Sequence, residues 1–353
     1  MKGKTIARVL AVTALASVLV FGLSGCAGTQ PAESDDASAQ QEQPAEQLAA
    51  AAYREVLADP SGHFELDEDR ASDATFTYAL VNMAQDPVPQ LLVRATGESS
   101  AWNGIEVVRV FSYDAQTASL VAPARDIETG VAGVGGFRGG LMYSAYGNGL
   151  LRSELSSGTG EGSITRITLE GDDLAETFVA PIDLASDSDI ASLANDEGKE
   201  ISWLEVSDAS ALDALESGSW QTTAEQVPDM AAAAEEAGLS VYTGTVRILD
   251  ADGVCELQGQ SNPNPGASDG SDYVVLDLGG EQKVTARSGS GSGTVEQAAS
   301  LLLLDRTGNG RSWKTLDGKK ATVAIDASAC SWPSDTSLPL GAPRCTGHVA
   351  VIG

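Results

Sequence analysis

Thr75-Phe76-Thr77-Tyr78-Ala79-Leu80-Val81-Asn82-Met83-Ala84-Gln85-Asp86-Pro87-Val88-Pro89-Gln90-Leu91-Leu92-Val93-Arg94 reads as strand, turn, strand. Aromatic and aliphatic residues fill both arms, and Asn82, Asp86, Pro87 and Pro89 interrupt the run between them. Arms joined by so short a connection pair as an antiparallel hairpin. The same grammar recurs at 105–113, 141–146 and 163–169. In the first of these, the two-residue period of a strand puts Ile105, Val107, Phe111 and Tyr113 on one face. A helix leads into the region over about 46–58, where Leu48, Ala52, Tyr53, Val56 and Leu57 share a side and Pro60 follows the end. The expected class is α+β, mainly antiparallel β.

Between about 183 and 238 the chain turns rich in Asp, Glu, Ser and Ala, with helices expected over 207–215 and 228–237. Pro228 and Asp229 suit a helix start and Gly238 its stop. Further on, 242–249, 273–278, 301–304, 321–326 and 348–352 read as strands, and Ala321, Val323 and Ile325 alternate with Thr322 and Ala324 as one buried face requires. Short strands at this density favour a small barrel or sandwich. The chain is longer than one small core usually takes. The division expected is therefore a β-hairpin domain with flanking helices over 48–238 and a small β-barrel domain over 239–353.

The amino end carries a different message. Lys2, Lys4 and Arg8 precede an apolar run over 9–23 that is shorter than the ~20 residues of a membrane-spanning helix. That is the plan of an export signal, and Leu23-Ser24-Gly25-Cys26 closes it. The sequence resembles the bacterial lipoproteins, in which this lipobox is cut before the cysteine and the thiol receives a diacylglyceryl group. The resemblance implies a signal peptide over 1–25, lipidation of Cys26 and a lipid-anchored protein on the extracytoplasmic face of the cell membrane. Each buried methylene adds ~0.8 kcal/mol to attachment, so two or three acyl chains anchor a protein without a span. Residues 26–47 hold the lipidated cysteine and a stretch of Ala, Gly, Ser, Thr, Gln, Pro, Glu and Asp, too polar to offset its ordering entropy, and are expected to form a disordered tether.

Removing residues 1–25 takes away three basic side chains and no acidic one, moving the formal charge from -29 to -32. A body this acidic repels nucleic acid and anionic headgroups, and no basic stripe or helix interrupts it, so nucleic-acid binding is excluded.

Several stretches were weighed as sites. The run 78–93 resembles an Asp-rich calcium loop of exported bacterial proteins, with Asn82, Ala84 and Gln90 where that loop places acidic or ligating residues and only Asp86 retained. A hard cation wants six to eight oxygens, so the hairpin is expected to persist without its ion. Gly318-Lys319-Lys320-Ala321-Thr322-Val323, after Trp313, is similar to the closing strands of small OB-like barrels in uncharacterised lipoproteins, a likeness that brings no activity with it. Asp305, Thr307 and Asn309, with Gly310 next, open like a calcium-binding EF-hand loop, but Leu316 stands at the twelfth place where the bidentate carboxylate belongs. Asp250-Ala251-Asp252-Gly253 is similar and shorter. Plain turns are expected at both, and no metal or cofactor is expected.

Catalytic patterns are equally thin. The two histidines, His63 and His348, stand in no zinc-ligand spacing, and no G-x-S-x-G elbow is present. The glycines at 133, 135, 136, 139 and 140 lack a phosphate-binding register and suit hairpin turns. With Cys26 lipidated, Cys255, Cys330 and Cys345 remain in an oxidising compartment. A Cys330–Cys345 bridge would close a Pro- and Gly-rich loop and stabilise it by about 3 kcal/mol; Cys255 with Cys330 is the rival pairing. The tryptophans at 102, 203, 220, 313 and 332 are expected to fill cores rather than stack on sugars. Together these readings favour a non-catalytic envelope lipoprotein whose partners are membrane lipid, through Cys26, and an envelope ligand or protein. The alternative is an extracytoplasmic hydrolase with a carboxylate site that no linear pattern reveals.

Overall fold

The computed structural model describes residues 44–353 other than 85, 134–135, 186–188, 222–223, 264, 266–270, 292 and 307–312. The class is the one expected: two antiparallel sheets with short helices around them. The first sheet comprises β1 (Thr75–Val81), β2 (Gln90–Thr96), β3 (Ile105–Asp114), β4 (Ser119–Val121), β5 (Ile127–Val131), β6 (Phe137–Ser144), β7 (Leu150–Ser156), β8 (Glu161–Glu170), β9 (Asp173–Asp183), β10 (Gly198–Glu200) and β11 (Leu204–Glu205). It runs in the order β11-β1-β2-β3-β5-β6-β7-β8-β9, with β4 added to β3 and β10 to β6. The second holds β12 (Ser240–Leu249), β13 (Tyr273–Arg287), β14 (Thr294–Arg306), β15 (Lys320–Ile325) and β16 (Val349–Val351), in the order β14-β13-β12-β15-β16. The helices are α1 (Ala45–Ala58), α2 (Glu68–Ala71), α3 (Ser192–Asn195), α4 (Ser210–Glu216), α5 (Met230–Glu236) and α6 (Ala251–Leu257). Among the described residues no helix is long and apolar enough to cross a membrane.

The opening hairpin forms as its sequence dictates, Tyr78 opposite Val93 and Val81 opposite Gln90. One face of β1–β3 presents Tyr78, Leu91, Val93, Phe111 and Tyr113 to α1, which buries Ala49, Ala50, Tyr53, Val56 and Leu57. The Tyr53 hydroxyl donates to the carbonyl of Pro89 at 2.7 Å, tying the helix to the hairpin turn, and burial raises its pKa. Alternation alone gave β3 a single buried face. The sheet instead curls back, so that Ala79, Leu92, Val108 and Val110 on the other face meet Leu150, Ile167 and Leu174. Strands β7 and β9 escaped the sequence reading because charges interrupt them. Those charges pair across the sheet: Glu176 accepts from Arg125 at 2.6 Å and from Arg152 at 3.0 Å.

The second sheet departs from expectation in two places. Asp250 does not make a plain turn; its carboxylate accepts from the backbone N–H of Gly253 at 2.7 Å and caps α6, a helix that the sequence reading omitted. Strand β13 also continues past Leu278 to Arg287, over a register shift between Asp277 and Gln282, so residues 288–291 lie at a hairpin tip. The sheet's outer strands approach each other through the segment before β16. The N–H of Leu303 donates to Pro343 O at 3.0 Å, and the N–H of Cys345 to Leu303 O at 2.8 Å, which makes a parallel bridge between Leu303 and Arg344.

The two sheets share an apolar seam. Phe178 of β9 is fully buried among the side chains of the second sheet, its ring 4.5 Å from that of Trp313. Leu151, Ile164, Val179 and Ala180 pack with Ala234, Leu239, Ala324 and Ala350.

Candidate functional site

A cleft of about 190 Å³ opens where the ends of β1 and β6 meet the segments after β10 and α4. Ala79, Leu80, Val81 and Ile201 give it an apolar floor; Asn82, Tyr143, Ser144, Ser202, Trp220 and Gln221 supply polar groups, and Ala145, Gly147 and Ala224 complete it. Strand pairing sets the geometry. Ser144 lies opposite Gly198, and the N–H of Ala145 donates to Glu197 O at 2.9 Å. The segment between α4 and α5 is tied at both ends: the N–H of Trp220 donates to Ala214 O at 2.8 Å, and that of Glu225 to Ala145 O at 2.7 Å. Gly147 adopts φ 64°, and a side chain there would press on Ala224 Cβ at 3.3 Å and Asn82 Oδ1 at 3.5 Å, so glycine lets these segments close together.

Behind the cleft lies a buried polar network that no sequence pattern announced. Glu197 is 3% exposed, and its carboxylate takes Arg166 in a bidentate pair, Nη1 to Oε1 at 2.5 Å and Nη2 to Oε2 at 2.8 Å. Ser144 donates its hydroxyl to the same Oε1, and Arg166 also donates to Asn148 Oδ1. Both carboxylate oxygens of Glu197 are thus taken up by the guanidinium, and the Ser144 hydroxyl is buried. The network fixes β8, the turn before β10 and the end of β6 into one frame around the cleft.

The hairpin turn that resembles a calcium loop spends its side chains on the backbone. The Asn82 amide donates to Asp86 O at 2.8 Å and accepts from the N–H of Ala84 at 3.2 Å, while Gln90 Oε1 accepts from the N–H of Met83 at 2.7 Å. These neutral side chains satisfy backbone groups of the hairpin, where carboxylates would have gathered a cation. Asp305 is not part of a turn: it is buried in β14, accepting the indole N–H of Trp313 at 3.0 Å and the N–H of Arg306 at 2.8 Å. Its companions Thr307 and Asn309 lie outside the described residues, as does Cys26. Among the described residues no three His, Cys, Asp or Glu side chains are grouped to hold a metal.

Cys330 and Cys345 are bridged, with Cα atoms 4.4 Å apart, and Cys255 stands free and buried in α6, where burial raises its pKa. The rival pairing with Cys255 is therefore not the one formed. Of the glycines near 133–140, Gly139 faces Gly130 in the β5–β6 hairpin and Gly140 faces Ser153 of β7, while Gly135 lies outside the described residues. His63 packs edge-on against Phe111 at 5.3 Å, and burial lowers its pKa. Asp126 is a carboxylate that burial raises, against the opposing pull of Arg109 at 2.6 Å, and it is not among the cleft residues. Trp102, Trp313 and Trp332 fill cores as expected, and Trp203 and Trp220, half-buried, pack against the cores on the two faces of the first sheet.

No family model, curated protein or solved structure matches the chain.

Proposed function

We propose that the chain is a lipid-anchored extracytoplasmic lipoprotein whose folded body binds an envelope ligand or partner without catalysing a reaction. The anchoring half rests on the export signal and the lipobox ending at Cys26. The observation that carries the binding half is the chemistry of the cleft. Residues 44–238 hold 34 acidic and 9 basic side chains, yet among the described residues no Asp, Glu, Lys, Arg or His lines it. The carboxylate behind the cleft, that of Glu197, is buried and engaged by Arg166 rather than presented to a substrate. An amphipathic pocket with a few convergent neutral polar groups suits recognition. The second sheet supports a likeness to an OB-like barrel through its strand order and the Leu303–Arg344 closure.

The test has two arms. In cell fractionation the native chain partitions with membranes and carries acyl mass, and Cys26→Ala moves to the soluble fraction; equal partitioning of both, or no acyl mass on the native form, overturns the anchor. In a pull-down from envelope extracts, Ala224→Arg puts a charge into the cleft from an exposed position. A component held by the native protein is expected to be lost with this variant. Capture by both alike removes the cleft as the binding site.

A further inference from the structure

Tyr143, Trp220, Ser202 and Gln221 line one cleft, and no hydrogen bond within the described residues engages their side chains. Their donors and acceptors are open to solvent in a cleft that Leu80 and Ile201 also line, and both aromatics are half-buried.

Resting on the reading of this cleft as a binding site, we propose that its ligand is a neutral saccharide, with one sugar ring seated between Trp220 and Tyr143 and its hydroxyls bonded to Ser202, Gln221 and the two aromatic tips. Three considerations select this class. A cleft of about 190 Å³ is smaller than the ~300–1,000 Å³ of pockets that engulf a drug-sized molecule, so it takes a single ring. Ionised groups would lose water there with no opposite charge to meet them, and the acidic surroundings repel anions. An alkylammonium ion is drawn by aromatic faces and by the acidic field, but a fully methylated one brings no donor or acceptor and would leave four polar groups unsatisfied. A sugar offers an apolar C–H face to the aromatics and a ring of hydroxyls to the neutral polar groups.

The experiment uses the full chain, purified in a detergent without a sugar headgroup and labelled with 5-fluorotryptophan. Its five tryptophan resonances are followed by fluorine NMR, and Trp220→Phe assigns the relevant one. Methyl β-glucoside and N-acetylglucosamine are the neutral probes, glucuronate the anionic control and choline the cationic one. The neutral sugars are expected to shift the Trp220 resonance with Kd of about 1 mM, the scale of a one-ring ligand at ordinary efficiency per atom. Glucuronate should bind at least ~10-fold more weakly, because its carboxylate loses hydration without gaining a partner. Ser202→Ala combined with Gln221→Ala changes two exposed side chains, leaves the other four resonances in place and is expected to weaken the sugar ~10-fold. A Trp220 shift with choline and none with either neutral sugar overturns the saccharide assignment while the binding reading stands. Silence of that resonance toward every probe overturns the saccharide assignment as well, and the separate Ala224→Arg capture experiment then decides the binding reading. Undiminished sugar binding by the double variant places the sugar elsewhere on the molecule.

Discussion

Replacing Glu197 by leucine removes one half of the buried pair behind the cleft and leaves Arg166, 20% exposed, with an unpartnered charge beside Ser144 and Asn148. Losing one partner of a buried ion pair costs about 3–5 kcal/mol, mainly because the remaining charge stays desolvated. Unfolding entropy of ~2.1 cal/mol/K per residue, over the roughly 310 residues from Pro44 to the end, amounts to ~0.65 kcal/mol/K. The expected fall in Tm is therefore about 5–8 °C by differential scanning calorimetry. The companion Arg166→Met should cost a similar amount. Combined with Glu197→Leu it should recover most of the loss, because an apolar pair of similar volume avoids both desolvation penalties. The double-mutant cycle thus carries the sign of the coupling. A drop of less than about 2 °C in the single Glu197 variant would mean that water reaches the pair, and the frame ascribed to it would fall.

Two further outcomes follow from the packing. Phe178→Ala deletes a fully buried ring shared by both sheets and costs about 3–5 kcal/mol; the seam predicts one calorimetric transition for the native chain and two for this variant, and one unshifted transition in the variant would show that the seam does not couple the sheets. For His63 the folded pKa lies below its ordinary 6.5 because burial disfavours the imidazolium. Between the folded value and 6.5 the unfolded chain binds more protons, so stability is present above 6.5 and declines as pH falls toward the folded value. His63→Gln should remove that component from a Tm-against-pH series in the window below 6.5, and an unaltered slope would contradict it.

What the linear pattern could and could not reveal follows from where each side chain finds its partner. The hairpin 75–94, the strand ending at Tyr113 and α1 were legible because their apolar periods are met by burial within a few residues. The strand at Leu150–Ser156 was not, since Arg152 and Glu154 look like surface and only the fold brings Glu176 to Arg152. Asp250 was readable in kind, as a residue that satisfies nearby backbone N–H groups, but a cap and a turn use the same residues. The Cys330–Cys345 bridge followed from a short loop that needed closing. The cleft had no such local signature. Ser144, Arg166 and Glu197 are drawn together over separations of 31 and 53 residues, and Trp220 carries nothing in its neighbours to set it apart from the tryptophans that fill cores. Shared spacing identifies residues that act on one element, whereas this site is assembled from the ends of several.

Strand β11 consists of Leu204 and Glu205 alone, yet it occupies the outer border of β1, opposite Tyr78 and Thr77, with Glu205 turned to solvent. Growth of one chain onto the next by strand addition calls for a long, bare, uncharged rim. A stub of two residues bearing a carboxylate supplies the reverse. Copies crowded side by side in two dimensions would meet at this rim more often than copies free in bulk solution, and such a stub denies them a template for self-association.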